Sequence, residues 1–244
     1  KKNDRVDFSL HSLYTFMAMA EKYFIKTFGC QQNVADSERL ERFYESRGLV
    51  RAALMEEADV LILNTCVIRD RAEEKVYGMV KSVRTRLEKS APRIVVTGCL
   101  IGAAARIPGG KMMKRLTTRL PDVEFLPIDE VGFEYVPKRA AGKMASIVIS
   151  NGCNNYCAFC IVPFSRGPER SRPFEEILAE AEKAASEGYE EVVLLGQNVN
   201  SYRHESVDFA GLVERVLSDT SVARIRFTSP HPHDFPAHLL RLMG

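Results

Sequence analysis

The chain has 244 residues, 45% of them hydrophobic and 27% charged, with a net charge of +2 at pH 7. That is enough apolar material for a sizeable core in one large domain or two modest ones, and it excludes a global basic field as the means of gathering nucleic acid. The six cysteines are sparse for this length and fall into three widely spaced and three clustered positions, a pattern that suggests metal rather than a disulfide framework.

Residues 1–20 imitate a secretory leader, with Lys1-Lys2 at one end and Ala18-Met19-Ala20 at the other, but Asp7, Ser9, His11, Ser12 and Tyr14 interrupt its apolar centre. They read instead as an extension outside the fold, ahead of a start near Met17 or Met19. No uninterrupted apolar run reaches membrane-spanning length, so the expected compartment is cytoplasmic.

From Tyr23 the chain repeats one unit three times: a β-branched apolar strand, a cysteine at its end, then a helical segment. The strands are Tyr23–Thr27 before Cys30, Val60–Leu63 before Cys66, and Ile94–Thr97 before Cys99. Leu40, Phe43 and Tyr44 predict a helix after Cys30, with Gly48 as its stop. Val76, Val80, Val83 and Leu87 lie on one side of a charged helix spanning about 69–87. After Cys99, Pro108-Gly109-Gly110 breaks a helix that resumes at 111–120, and Pro121-Asp122 closes the unit. Continuous apolar strands alternating with helices predict a parallel sheet covered on both faces. In such a sheet all carboxyl ends share one edge, where ligands gather. Cys30, Cys66 and Cys99 can therefore converge on a second metal site; three buried structural thiols are the plainer alternative.

The polar stretch 138–143 reads as a linker, after which the rhythm restarts with strand Ser146–Ile149, a cysteine loop, and a helix with Pro173 in its first turn. Ile177, Leu178, Ala181, Ala184 and Ala185 form the apolar face of that helix, which stops at Gly188. Strand Val192–Leu195, a helix bearing Phe209, Leu212, Val213, Val216 and Leu217, strand Arg224–Phe227 and a helical stub from about Phe235 complete the chain. The fold class is thus α/β.

The loop Asn151-Gly-Cys-Asn-Asn-Tyr-Cys-Ala-Phe-Cys160 places Cys153, Cys157 and Cys160 within reach of one iron–sulfur cluster. Electron carriers use four cysteines, and no fourth lies nearby, because Ile161-Val162-Pro163-Phe164 is apolar. One iron is then free to bind a substrate or cofactor. A zinc site completed by His231 or His233 is the competing reading. Phe159 can pack a planar ligand or anchor the loop to the core.

These motifs resemble the radical S-adenosylmethionine (SAM) enzymes, whose mark is this cysteine spacing with an aromatic residue before the third cysteine. Phe28-Gly-Cys-Gln-Gln-Asn33 with Asp36-Ser-Glu38, Asn64-Thr-Cys-Val-Ile-Arg69 with Ala72–Gly78, and Thr97-Gly-Cys99 are similar to the auxiliary-cluster motifs of the methylthiotransferase subgroup. The segment Cys153–Arg172, together with Leu195-Gly-Gln-Asn-Val-Asn-Ser-Tyr202 and Arg226-Phe-Thr-Ser-Pro-His-Pro232, resembles its tRNA-modifying MiaB branch. The resemblance runs from about Glu21 to the end.

It implies two 4Fe-4S clusters and SAM. The cluster on Cys153, Cys157 and Cys160 would bind SAM through its open iron, deliver one electron and release a 5′-deoxyadenosyl radical. The cluster on Cys30, Cys66 and Cys99 would carry sulfur, methylated by a second SAM. A methylthio group would then replace a hydrogen on carbon 2 of N6-isopentenyl-adenosine beside a tRNA anticodon. Gly196 and Gln197 occupy the place that contacts the SAM amino group in the family, although Gly-Gln stands where many relatives have Gly-Glu. Asn200, Ser229 and His231 are further candidates for the SAM pocket. Sibling substrates are threonylcarbamoyl-adenosine in tRNA and a ribosomal-protein aspartate; Gln31-Gln32-Asn33 favours the isopentenyl-adenosine branch. A non-catalytic electron carrier or RNA-binding module is a reading of another class.

The implied partners are tRNA and a one-electron donor such as flavodoxin or ferredoxin, with the protein a monomer. Arg166, Arg170 and Arg172 are candidates for RNA phosphate, as is the basic stretch Arg106, Lys111, Lys114, Arg115, Arg119, Lys138, Arg139 and Lys143. The expected domains are 21–137 for the auxiliary cluster and 138–244 for a radical SAM core. That core is expected to be an incomplete (βα) partial barrel: the family's barrel resembles about six units followed by a small β domain, so the 244 residues alone are expected to turn over poorly.

Overall fold

The computed structural model describes residues 20–68, 72–87, 91–133, 135, 137, 139 and 142–243. The extension up to residue 19, Arg69 of the second cysteine motif, and Lys138, Ala140 and Ala141 of the linker lie outside the described residues.

The first sheet contains β1 (Lys22–Thr27), β2 (Val50–Arg51), β3 (Val60–Thr65), β4 (Arg93–Gly98) and β5 (Val123–Leu126), in the order β2-β1-β3-β4-β5. Every pairing is parallel. Its helices are α1 (Gln31–Glu45), α2 (Ala72–Leu87), α3 (Cys99–Arg106) and α4 (Lys111–Arg119). Strand alternation divides the core. Val60, Ile62 and Val95 pack with Leu40 and Tyr44 of α1 on one face. Leu61, Leu63, Ile94 and Val96 pack with Val76, Val80 and Val83 of α2, and with residues of α3 and α4, on the other. All six residues of β3 are buried, as expected of a central parallel strand. The register sets Thr27 beside Asn64 and Asn64 beside Thr97, so β1, β3 and β4 end level.

The second sheet is built from β6 (Met144–Val148), β9 (Glu191–Leu195) and β12 (Arg224–Phe227), parallel and in sequential order. Between them lie β7 (Ser150–Asn151), α5 (Val162–Arg166), β8 (Arg170–Ser171), α6 (Phe174–Ser186), β10 (Arg203–His204), β11 (Val207–Asp208) and α7 (Phe209–Asp219). The last helix is α8 (Ala237–Met243). The pairs β7-β8 and β10-β11 are short antiparallel ribbons. Ile147, Val192 and Leu194 pack with α6 through Ile177, Ala181 and Ala184, and with α7 through Phe209, Leu212, Val213 and Val216. On the opposite face Val148, Val193 and Leu195 meet Ala35 of α1. Helix α1 therefore serves both sheets, and Gln31 Nε2 donates to Ser146 Oγ at 2.9 Å across them.

Three sequence expectations shift. The first unit continues past Pro121-Asp122 into β5, Pro173 caps α6 rather than entering its first turn, and Leu217 turns outward, half exposed. The three second-half strands form an open sheet; no closed barrel is present among the described residues.

Candidate functional site

Cys30, Cys66 and Cys99 follow the level ends of three neighbouring strands. Cys30 caps α1, and its backbone N–H donates to Asn33 Oδ1 at 3.3 Å. Cys66 comes directly after β3, where its sulfur accepts the Ile68 N–H at 3.4 Å. Cys99 opens α3 immediately after Gly98, whose φ is +92°. A Cβ at Gly98 would lie 2.3 Å from the Thr65 carbonyl oxygen, so the close approach just before Cys99 requires glycine.

A buried polar net ties these turns together. Asn33 Nδ2 donates to Asn64 Oδ1 and to the Thr65 carbonyl, while Asn64 Nδ2 donates to the Asn33 carbonyl at 2.8 Å and to Ser37 Oγ at 2.9 Å. Thr65 Oγ1 donates to the Thr97 carbonyl at 2.6 Å. Burial pushes the Cys99 thiol up; Arg166 opposes this, and negative charge at Asp36 and Cys66 adds to it. Cys66 and Cys99 thus lie within electrostatic reach of each other.

The second set is local. After β7, the Gly152 N–H donates to Gln197 Oε1, the Cys153 N–H to the Gly167 carbonyl at 3.2 Å, and the Cys160 N–H to the Cys157 carbonyl at 2.8 Å. Cys153 is buried, whereas Cys157 and Cys160 are half-buried. Burial pushes the Cys153 thiol up; the Asn155 N–H opposes, while Glu169, Cys160 and Cys157 reinforce the rise. Phe159 projects into solvent at 94% exposure and is not a core anchor.

Gly196 and Gln197 follow β9, and Ser229 and His231 follow β12, on the edge that carries the cysteine loop. Gln197 is committed to the loop's Gly152 amide. A Cβ at Gly196 would sit 2.6 Å from Ser150 Oγ. Asn200 Nδ2 donates to the His231 carbonyl at 2.8 Å, and the His231 N–H returns a bond to Asn200 Oδ1 at 2.6 Å. Ser229 stands close by in chain order with φ +57°.

Arg166 joins the two sets. Only 3% exposed, it donates from Nε to Cys99 Sγ at 3.2 Å and pairs through Nη1 with Asp36 Oδ2 at 2.6 Å. Asp36 also holds Arg39 at 2.7 Å. Burial works against ionisation of Asp36, but Arg166 and Arg39 outweigh it and keep the carboxyl below the usual carboxylate range. Asp36 stands in the sequence reading only as part of a motif with no role of its own, and Arg39 does not enter it. Nothing in local spacing links residues 36, 99 and 166, so only the tertiary structure reveals the contact.

The arginines considered for RNA part company. Arg166 is spent on Asp36 and Cys99. Arg172, 5% exposed, donates to Glu180 Oε2 and the Val148 carbonyl, and the same Glu180 also binds Arg139. Facing an RNA phosphate would strip both arginines from buried acids; Arg170 alone of the three is exposed. In the basic stretch Arg106, Arg115, Arg119 and Lys143 pair with Asp129, Glu73, Glu74 and Glu190, whereas Lys111 and Lys114 are exposed.

Among the described residues no three His, Cys, Asp or Glu side chains are arranged to hold a single metal ion, and Nδ1 of His231 accepts the His233 N–H at 3.2 Å. A multi-iron cluster spreads its thiolates wider than one ion does. Two sets of three free thiols suit that chemistry, with Cys66 acting electrostatically on Cys99 in one set and Cys157 and Cys160 acting on Cys153 in the other.

A three-cysteine loop at the carboxyl edge of sequential parallel strands defines a radical SAM protein. Residues 147–244 match the Radical SAM superfamily, and residues 22–114 match Uncharacterized protein family UPF0004. The chain belongs to the MiaB-type radical SAM methylthiotransferase family. It is 36% identical to the tRNA-2-methylthio-N(6)-dimethylallyladenosine synthase of Cereibacter sphaeroides, over 93% of this chain and 57% of that protein. The synthase of the same name from Stutzerimonas stutzeri is 40% identical, over 89% and 55%. The chain thus spans a little over half the length of the curated relatives it matches. A radical S-adenosylmethionine methyltransferase, TsrM, from Kitasatospora setae shares the fold at TM-score 0.58 and 13% identity, covering 92% of this chain and 57% of that one. Among the described residues no helix is long and apolar enough to cross a membrane.

Proposed function

We propose that this chain carries the two iron–sulfur sites of a tRNA methylthiotransferase acting on carbon 2 of N6-isopentenyl-adenosine next to the anticodon. The observation that carries this reading is the level ending of β1, β3 and β4, with a cysteine just beyond each. A radical SAM protein needs only the loop set; a second set on its own sheet calls for a second cluster. Residues 21–137 would form the unit holding it, and residues 138–244 the radical SAM unit.

Cys153, Cys157 and Cys160 would hold one 4Fe-4S cluster and leave an iron open to SAM, while Cys30, Cys66 and Cys99 would hold the other. Bound there, these groups supply the electron, the hydrogen-abstracting radical and the sulfur. The chain's own task is placement. Gln197 fixes the loop through the Gly152 amide, the exposed Phe159 ring offers a face for a planar ligand, and Gly196 keeps the β9 edge close to Ser150. Asn200 and His231 brace each other on the same edge beside Ser229. Among the cations considered for RNA, Arg170, Lys111 and Lys114 are exposed and would be open to phosphate. A flavodoxin or ferredoxin would serve as electron donor to a cytoplasmic monomer.

The test is anaerobic reconstitution of the intact enzyme, followed by dithionite reduction with SAM and tRNA bearing isopentenyl-adenosine. The expected products are 5′-deoxyadenosine and, by nucleoside mass spectrometry, the 2-methylthio derivative. Absence of SAM cleavage would return the chain to the electron-carrier class; methylthiolation of threonylcarbamoyl-adenosine instead would move it to a sibling branch.

A further inference from the structure

We propose that Arg166 is a positioning residue for the Cys99 site: anchored by Asp36, its guanidinium holds positive charge against the Cys99 sulfur and raises the reduction potential of the cluster bound there. This rests on the reading of Cys30, Cys66 and Cys99 as cluster ligands given above.

Three observations carry it. Arg166 follows the Cys153–Cys160 loop in sequence, yet its Nε donates to a sulfur of the other set at 3.2 Å. Its orientation is fixed: Nη1 is held by Asp36 Oδ2 at 2.6 Å and approaches Asn151 Oδ1 at 3.4 Å, while its own carbonyl accepts from Asn151 Nδ2 at 3.2 Å. Helix α5, which carries it, is seated against α3, which carries Cys99. A Cβ at Gly102 of α3 would fall 2.0 Å from the Ser165 carbonyl oxygen.

The third observation is an unfilled donor. Nη2 of Arg166 is buried without a hydrogen-bond partner. In a guanidinium, Nε and Nη2 share the edge that forks onto paired acceptors. One prong of that edge rests on Cys99 and the other is open. A buried donor left unmet is costly, and an acceptor arriving beside the Cys99 sulfur, as a cluster sulfide does, would meet it. Hydrogen bonds and charge at cluster sulfurs are among the principal determinants of cluster potential. A cation there favours the reduced, more negative state, so its loss lowers the potential.

The test uses the chain with Cys153, Cys157 and Cys160 replaced by alanine, so that only the N-terminal set can load, reconstituted anaerobically and titrated by electron paramagnetic resonance. Arg166→Gln is expected to shift the potential to more negative values and to speed iron loss to a chelator. Arg166→Lys, which keeps the charge without the fork, is expected to fall between the two. An Arg166→Gln protein with parental potential and iron retention would overturn the proposal. If glutamine prevents folding, the lysine variant decides, and an unshifted potential there would overturn it equally. Should the parent load no iron, or should Cys99→Ser leave its iron unchanged, the ligand assignment itself fails and the proposal falls with it.

Discussion

Cys153, Cys157 and Cys160 occupy one loop held by hydrogen bonds to Gly167, Cys157 and Gln197, whereas Cys30, Cys66 and Cys99 come from three turns separated by whole βα units. The loop set needs its own few residues and the ends of β6 and β9. The distributed set needs the register of β1, β3 and β4, the Asn33–Asn64 net and the glycine at 98. Damage to the first sheet should therefore disable one site and spare the other. Arg166 is the exception to that independence, because it belongs to the loop segment and touches the distributed set.

The strongest way to break the comparison is Asp36→Asn. Asp36 is fully buried between Arg39 and Arg166, so removing its charge strands two guanidinium groups and should cost about 3–5 kcal/mol, read by chemical denaturation. A loss well under 1 kcal/mol would show that the pair is not buried as described. Leu61→Ala, at a fully buried site in β3, should cost about 2–5 kcal/mol and lower iron at the distributed set while the loop set keeps its own. Equal iron loss at both sets would erase the distinction.

Gly102→Ala should force α5 away from α3 and lower stability by about 1–3 kcal/mol, seen as a drop in melting temperature. An unchanged melting temperature would mean that the helices part without strain.

The smallest effect expected is a pH dependence between the sheets. Burial pushes the Glu38 carboxyl up to about 7; Arg139 opposes this, and Glu41 and Glu180 add to it. The folded state then binds this proton more tightly than the unfolded chain, whose value is near 4.5. Glu38's contribution to stability is complete below about 4.5 and is lost as pH rises through about 7. Glu38→Gln should flatten that decline in urea midpoints measured across the interval; identical slopes would contradict it.

The strands that lead to the cysteines, β1, β3, β4 and β6, were legible because their β-branched runs are continuous and each is followed closely by a cysteine, a pattern set by local sequence alone. The strand β5 was not, since four residues after Pro121-Asp122 read as the tail of a turn. The ribbon β7-β8 has only two residues per strand, too few for a period to register. Arg166 and Arg172 resembled a phosphate-binding cluster beside a cysteine loop. Asp36 lies far from Arg166 in sequence, on α1, and although Glu180 follows Arg172 by only eight residues, on α6, charge counting gives no sign that either arginine is buried against its acid. The motif asparagines Asn33 and Asn64 were visible as a pattern, but their purpose, pairing across two turns, emerges only from the register.

The central claim is that two cysteine sets hold two clusters, and iron counting tests it most directly. After anaerobic reconstitution the unaltered chain should bind about eight irons, with about four remaining when Cys30, Cys66 and Cys99 become alanine and about four when Cys153, Cys157 and Cys160 do. About four irons in the unaltered chain, unaffected by loss of the first three cysteines, would contradict it.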